Sequence, residues 1–421
     1  MIEYTGPAER AYLVGVQDKD ETTSKARSLL SELDALSRTI GLEVVGSELA
    51  TVREISPRYY LGSGKAEEIV ERADELEADV IIFDQDLSPT QQRNWEALAK
   101  RSVTDRQGVI LEIFAERAQT REAQLQVELA RMEYSLPRLT SAWSHLSRQR
   151  GGRRGTRGEG ETQLEVDRRV VQQRIGALKR DLKSVESQRG TMRHQRSVLP
   201  VPTGSIVGYT NAGKSSLLRR LSGSPVMVAD KLFATLDPAT RRLELPGGQE
   251  VLLTDTVGFI QRLPHGLVEA FKSTLEETRF AAFLLHVIDA SDPAALDHAA
   301  VTKEVLEEVG SHDKPMITVL NKSDQAGEDE LRMLSLELTN AVAVSATTGA
   351  GIEALERAIT EQLATSFTRV EVALPHDRYD LAALIHRTGR IIHEEFEGEA
   401  VRISADVPNR TQKLLAEFIT A

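Results

Sequence analysis

Eight consecutive residues constrain this chain more than anything else in it: Gly208-Tyr209-Thr210-Asn211-Ala212-Gly213-Lys214-Ser215, which reads G-x-x-x-x-G-K-[ST]. Such a loop needs a buried strand before it and a helix after it. Ser205-Ile206-Val207 closes the strand, and Ser216-Leu217-Leu218-Arg219-Arg220-Leu221 opens the helix. Glycines let the backbone turn tightly enough for its N–H groups to ring a phosphate, and the helix N-terminus adds partial positive charge. Lys214 then reaches the β- and γ-phosphates, and Ser215 ligates Mg²⁺. A chance match in a turn is the competing reading, and the residues downstream argue against it.

Four further stretches come in a fitting order. Phe233-Ala234-Thr235-Leu236-Asp237 places a threonine about 20 residues beyond the loop, where it can swing in to Mg²⁺ and the γ-phosphate. Val251-Leu252-Leu253-Thr254-Asp255-Thr256-Val257-Gly258 is an apolar strand ending in D-x-x-G, with Asp255 for Mg²⁺ through water and the Gly258 N–H for the γ-phosphate. Met316 to Leu320 runs into Asn321-Lys322-Ser323-Asp324. The Asp324 carboxylate can accept both N1–H and N2–H₂ of guanine, a donor pair that adenine lacks. Val342 to Val344 leads to Ser345-Ala346-Thr347, where the Ala346 N–H can meet guanine O6. Asp255 could instead cap a helix, Asn321 a turn and Ser345 a strand end. All four in order after a phosphate loop point to a site for GTP and GDP. Mg²⁺ is held there by Ser215, Thr235 and Asp255, and Lys214, Thr235 and Gly258 act on the γ-phosphate.

The fold expected is α/β throughout: an open parallel sheet in 1–106, a long helical hairpin in 107–197, the phosphate-loop domain in 198–366 and a small α/β module in 367–421. In the first segment, strands are expected at Ala11–Val16, Leu42–Leu49 and Asp79–Phe83, and helices at Ser24–Ile40, Lys65–Leu76 and Thr90–Arg101. Leu61-Gly62-Ser63-Gly64-Lys65 invites a second phosphate loop but lacks its first glycine. A glycine turn before a helix is the simpler reading, with a second nucleotide site or an RNA contact as the alternative. In the C-terminal module, strands are expected at Thr368–Leu374 and Glu399–Val407, with helices at Tyr379–Glu395 and Arg410–Ile419. His376, His386 and His393 are read there as ordinary histidines rather than a metal site.

Helix formers fill Ile110–Arg138 and again Glu161–Gln195, which suggests two long antiparallel helices. Between them, a glycine-rich stretch carries Arg148, Arg150, Arg153, Arg154 and Arg157 against Glu159 alone. Arginines on a pliable backbone suit phosphate contacts and base stacking on RNA; a solvated linker is the alternative. The cluster stands out because the chain has a net charge of -12, which argues against a uniformly basic nucleic-acid coat. Cysteine is absent, so there is no disulfide and no thiolate metal site. No leader pattern opens the chain and no apolar run is long enough for a bilayer, so a cytoplasmic protein with no membrane span is expected.

Several of these stretches resemble the HflX family of GTPases over nearly the whole chain. They are Gly62-Ser63-Gly64-Lys65, Leu125-Gln126-Val127-Glu128-Leu129-Ala130, Leu136-Pro137-Arg138-Leu139, and Arg157-Gly158-Glu159-Gly160-Glu161-Thr162 leading to Asp167-Arg168-Arg169. The resemblance implies binding to the ribosome, mainly its large subunit and RNA, with the arginine loop reaching towards the peptidyl-transferase region. It also implies splitting or rescue of stalled ribosomes under stress. A GTPase switch acting on a non-ribosomal protein, or an ATPase using the N-terminal sheet, are the competing readings. Ras-like enzymes orient the attacking water with a glutamine after the D-x-x-G glycine; here Phe259 stands there, so slow hydrolysis stimulated by a partner is expected. Related GTPases with an apolar residue at that position use an asparagine to hold K⁺, which makes Asn211 a candidate K⁺ ligand as a hypothesis. A monomer is expected.

Overall fold

The apolar run from Ala11 to Val16 becomes the buried centre of β1 (Arg10–Gln17). The computed structural model describes residues 9–139, 163–196, 201–223, 232, 233, 236, 238–246, 248–262, 277–364, 367–397 and 400–420. They group into two compact units that divide near Val185.

In the first unit β1 is followed by α1 (Thr23–Thr39), β2 (Glu43–Thr51), α2 (Ser63–Glu75), β3 (Val80–Phe83), α3 (Pro89–Ala99) and β4 (Ser102–Asp105). The sheet runs β2-β1-β3-β4, every neighbouring pair parallel, which is the open α/β sheet expected. Its last strand, β4, escapes sequence reading because Val103 is the lone apolar residue in Ser-Val-Thr-Asp. Ser88 accepts from the Gln91 N–H and Gln91 returns the bond to the Ser88 N–H, a capping box reinforced by Pro89 at the first helical turn. Trp95 lies at the centre of the core, edge-on to Tyr59 and tilted against Phe83, with its indole N–H on the Tyr59 carbonyl at 2.8 Å. Gly62 caps α2, and the Lys65 amine faces Glu48 and Glu68, each at 3.2 Å, so Leu61–Lys65 is a glycine turn opening a helix.

The expected helix over Ile110–Arg138 is in fact two: α4 (Arg106–Arg117) and α5 (Arg121–Ser135). Thr120 causes the break, since its side chain accepts from the Ala123 N–H and starts a new helix. Arg131 ties back to Glu112 at 2.7 Å, so α4 and α5 are themselves a helix pair. The next helix, α6 (Gln163–Arg196), holds α5 through Glu128–Arg174 at 2.7 Å and Glu133–Lys179 at 2.8 Å. Residues 140–162, which would join the two arms of the expected hairpin, lie outside the described residues. Arg148, Arg150, Arg153, Arg154 and Arg157 lie outside the described residues.

The second unit begins with β5 (Thr203–Gly208) and α7 (Lys214–Ser222), then β6 (Ala239–Glu244) and β7 (Glu250–Asp255). It continues with β8 (Phe283–Asp289), α8 (Ala295–Glu308), β9 (Met316–Asn321), α9 (Glu328–Glu337), β10 (Ala341–Ala343) and α10 (Ile352–Ala364). Its sheet runs β10-β9-β8-β5-β7-β6, with only the edge strand β6 antiparallel. β5 therefore lies inside the sheet between β8 and β7, and apolar layers cover both faces. Phe283, Leu285 and Val287 pack with Leu217, Leu218 and Leu355, while Leu284 packs on the other face with Phe259 and Leu306.

Three further strands form an antiparallel sheet ordered β11-β13-β12: β11 (Phe367–Pro375), β12 (Arg390–Glu397) and β13 (Ala400–Pro408). They pack with α11 (Tyr379–Thr388) and α12 (Asn409–Leu415). The helix expected over Tyr379–Glu395 stops at Thr388. Gly389 is extended, and its absent Cβ would fall 2.9 Å from the Asp406 carbonyl, so the chain turns directly into β12 there.

Candidate nucleotide-binding site

The phosphate loop forms where β5 hands over to α7. Gly213 caps α7 with φ 91°, a left-handed conformation, and a Cβ on it would lie 2.2 Å from Nδ2 of Asn321. Asn211 takes the same region at φ 59°, which asparagine tolerates. Lys214 is buried, and its Nζ donates to the Tyr209 carbonyl at 2.7 Å. Burial pulls its pKa down to about 8, with the Asp255 carboxylate acting the other way. Ser216 stands in the first turn of α7.

β7 delivers Asp255, fully buried, to the same place. Its Oδ2 accepts from the Ser215 hydroxyl at 2.6 Å. Two hard oxygens side by side form a donor set that suits a small divalent cation retaining most of its waters. Thr256 Oγ1 donates to the Ile206 carbonyl at 2.7 Å, fixing the exit of β7 to β5. Val257 and Gly258 follow, and Phe259 is buried against Val207, Leu284 and Leu306. Burying a phenylalanine stabilises by about 1.5–3 kcal/mol, so this position is a packed anchor and offers no polar atom to a water. Phe233 is buried with its N–H on Thr210 Oγ1 at 3.0 Å, and Leu236 is buried as well. Ala234, Thr235 and Asp237 lie outside the described residues.

β9 ends at Asn321, which spans two loops: Nδ2 donates to the Ala212 carbonyl at 2.8 Å and Oδ1 accepts from the Ala346 N–H at 3.1 Å. Those bonds place the Asn-Lys-Ser-Asp loop and the Ser345–Thr347 loop against the phosphate loop. Lys322 sits at φ 59° with its amine on Asp289 at 2.6 Å. Ser323 is pinned through its N–H to the Val344 carbonyl at 3.1 Å, and Asp324 is exposed at the rim. Ser345 is buried; its hydroxyl accepts from the Thr348 N–H at 3.0 Å, and Thr347 is exposed beside it.

Two contributors had no assigned role in the sequence reading. Asp289 ends β8 directly beside Asn321 in register, and a strand-end carboxylate next to a strand ending in Asn-Lys was the available signal. Arg220 donates to the Thr348 carbonyl at 2.7 Å, a tie across 128 residues that no local pattern announces.

A phosphate loop, an aspartate-ended strand beside it and an Asn-Lys-Ser-Asp loop, gathered at one end of a mostly parallel sheet, define a P-loop GTPase. Four family descriptions then cover nearly the whole chain. Residues 27–115 and 117–196 match the N-terminal and middle regions of the GTP-binding GTPase family, residues 203–322 the 50S ribosome-binding GTPase family, and residues 331–415 the HflX C-terminal domain. The chain belongs to the HflX family of GTPases. It is 47% identical to GTPase HflX of Akkermansia muciniphila, over 97% of each chain. It is 43% identical to GTPase HflX of Escherichia coli K12, over 94% of this chain and 93% of that one. Among solved structures, a GTP-binding protein from Sulfolobus solfataricus in complex with GDP is 24% identical, covering 84% of this chain and 98% of that one, with a TM-score of 0.44. Among the described residues, no helix is long and apolar enough to cross a membrane.

Proposed function

We propose that this GTPase acts in the cytoplasm on the large ribosomal subunit, hydrolysing GTP with Mg²⁺ and splitting or rescuing stalled ribosomes under stress. The observation that carries this reading is the match of residues 203–322 to the 50S ribosome-binding GTPase family, in a chain whose arginine cluster falls between α5 and α6. In this reading Gly208–Ser216 holds the phosphates, Asp324 selects guanine with Asn321, Lys322 and Ser345–Thr347 in support, and Thr235 and Gly258 attend the γ-phosphate. Ser215, Thr235 and Asp255 hold Mg²⁺, which when bound neutralises phosphate charge; Asn211 is the ligand proposed for a stimulating K⁺. Hydrolysis is slow alone because Phe259 occupies the glutamine position and is committed to the core. Arg148, Arg150, Arg153, Arg154 and Arg157 contact ribosomal RNA, and the chain works as a monomer.

The test is GTP turnover with and without purified large subunits, comparing the wild-type chain with one carrying alanine at Arg150, Arg153, Arg154 and Arg157. Strong stimulation that the substituted chain loses is the expected result. Unstimulated turnover of the wild type would remove the ribosome from the reading and leave the GTPase acting on another partner.

A further inference from the structure

The segment after Asp255 is zipped onto the phosphate loop. Tyr209 and Phe259 pair as a parallel bridge. The Phe259 N–H donates to the Gly208 carbonyl at 3.1 Å, and the Thr210 N–H donates to the Phe259 carbonyl at 2.7 Å. Two residues further on, the Gln261 N–H donates to the Tyr209 hydroxyl at 2.8 Å. The Tyr209 ring is itself held, stacked on His298 of α8 with centroids 3.7 Å apart and planes 9° from parallel. His298 is fixed in turn, its Nδ1 facing Asp292 at 3.4 Å and its carbonyl accepting from Thr302 Oγ1 at 3.0 Å.

One residue therefore touches both the phosphate-loop lysine and the segment after Asp255. The Tyr209 carbonyl takes the Lys214 amine, and its hydroxyl takes the Gln261 amide. Between those contacts lies Gly258, where a Cβ would fall 2.9 Å from Lys214 Nζ and 2.8 Å from the Thr210 Cα. The segment thus approaches the lysine closely at Gly258, the residue whose N–H is proposed above to attend the γ-phosphate. With phenylalanine where a glutamine would orient water, that backbone placement carries more of the work.

We propose that Tyr209 is a positioning residue for GTP hydrolysis: its hydroxyl, backed by His298, sets the Gly258–Gln261 segment in register with the phosphate loop. Tyr209 touches no reacting atom with its side chain and acts through the Gly258 N–H.

Tyr209→Phe removes the hydroxyl and leaves the ring, its burial and its stack, so the fold is retained. The expected result is a single-turnover rate lower by about fivefold, the size of one net hydrogen bond. GDP affinity stays within about twofold, because the phosphate ring and the guanine loops are untouched. Hydrogen exchange at the Gln261 amide rises while exchange across β5 and α7 does not change. In the Tyr209→Phe background, His298→Ala costs less rate than it does in wild type, since both act on one contact. Three results would overturn the proposal: a wild-type or faster rate, a slower rate with unchanged exchange at Gln261, or a GDP affinity that falls as far as the rate. Full additivity of the two substitutions would remove His298 from it.

Discussion

Binding of GDP should draw a proton from solution at alkaline pH, and the source of that uptake is a single side chain. In the structure the Lys214 amine is buried and its pKa falls to about 8. At pH 8.5 about three quarters of the molecules then carry it neutral, and at pH 7 about one tenth. A diphosphate placed beside the amine favours the ammonium and returns its pKa to the ordinary lysine range. The complex therefore binds more protons than the free protein. Affinity must fall as pH rises through 8, by roughly 0.7 decade per unit near pH 8.5, with an uptake of about 0.7 proton per GDP there. The GDP phosphates are fully ionised at that pH; guanine N1–H is about one tenth deprotonated, a small uptake that the arginine variant shares and that subtracts out. Calorimetric titrations at pH 8.5 in two buffers of different ionisation enthalpy measure the uptake directly. Lys214→Arg supplies the control, because a guanidinium does not titrate in this range. An uptake near zero in wild type, or one equally large in the arginine variant, would refute the assignment.

Other consequences stem from named contacts. Arg106 is buried with its guanidinium on the equally buried Asp84 at 2.8 Å and on Glu32; Arg106→Met should cost the first unit about 3–5 kcal/mol in urea unfolding by breaking that buried ion pair, with GDP affinity unchanged. Asn321→Ala removes two bonds, a buried one to the Ala212 carbonyl and a part-buried one from the Ala346 N–H, and should lower stability by about 2–3 kcal/mol and GDP affinity at least tenfold. His286 is buried in β8, where burial first and then Lys303 and Lys214 push its pKa down to about 4. The native state thus binds fewer protons than the unfolded chain below about pH 6.5, so stability is lost as pH falls from there towards 4. Between pH 7 and pH 5 that loss is about 2 kcal/mol, and unfolding midpoints of His286→Leu should show a flatter acid limb.

The parts of this protein that a reader of the sequence can reach are those whose backbone geometry demands a residue type. Gly213 is legible because a left-handed residue packed against Asn321 excludes a Cβ, and Asn321 because one amide must serve two loops, one of them 109 residues away. The short β4 and the break at Thr120 are not legible in the same way. A four-residue strand with one apolar side chain has no periodicity, and a threonine cap inside a run of helix formers is outvoted by its neighbours. In β12 the pattern Arg-Ile-Ile-His-Glu-Glu-Phe-Glu also satisfies a helix, and the turn at Gly389 together with pairing to β13 decides against it.

Tyr209 marks the deeper limit. It occupies a position that the phosphate-loop pattern leaves open, and nothing in the phosphate cradle requires an aromatic ring there. Its partners, Gln261 and His298, lie on other elements, so its work is invisible to any local rule. The fixed letters of the motif say which ligand the loop takes. The residue at the open position bears on how the segment after Asp255 is held against it, and in this chain that segment is the one carrying phenylalanine in place of a water-orienting glutamine. An unusual residue at one switch position is therefore a reason to look at what packs on the neighbouring open position, because the two residues share one piece of backbone.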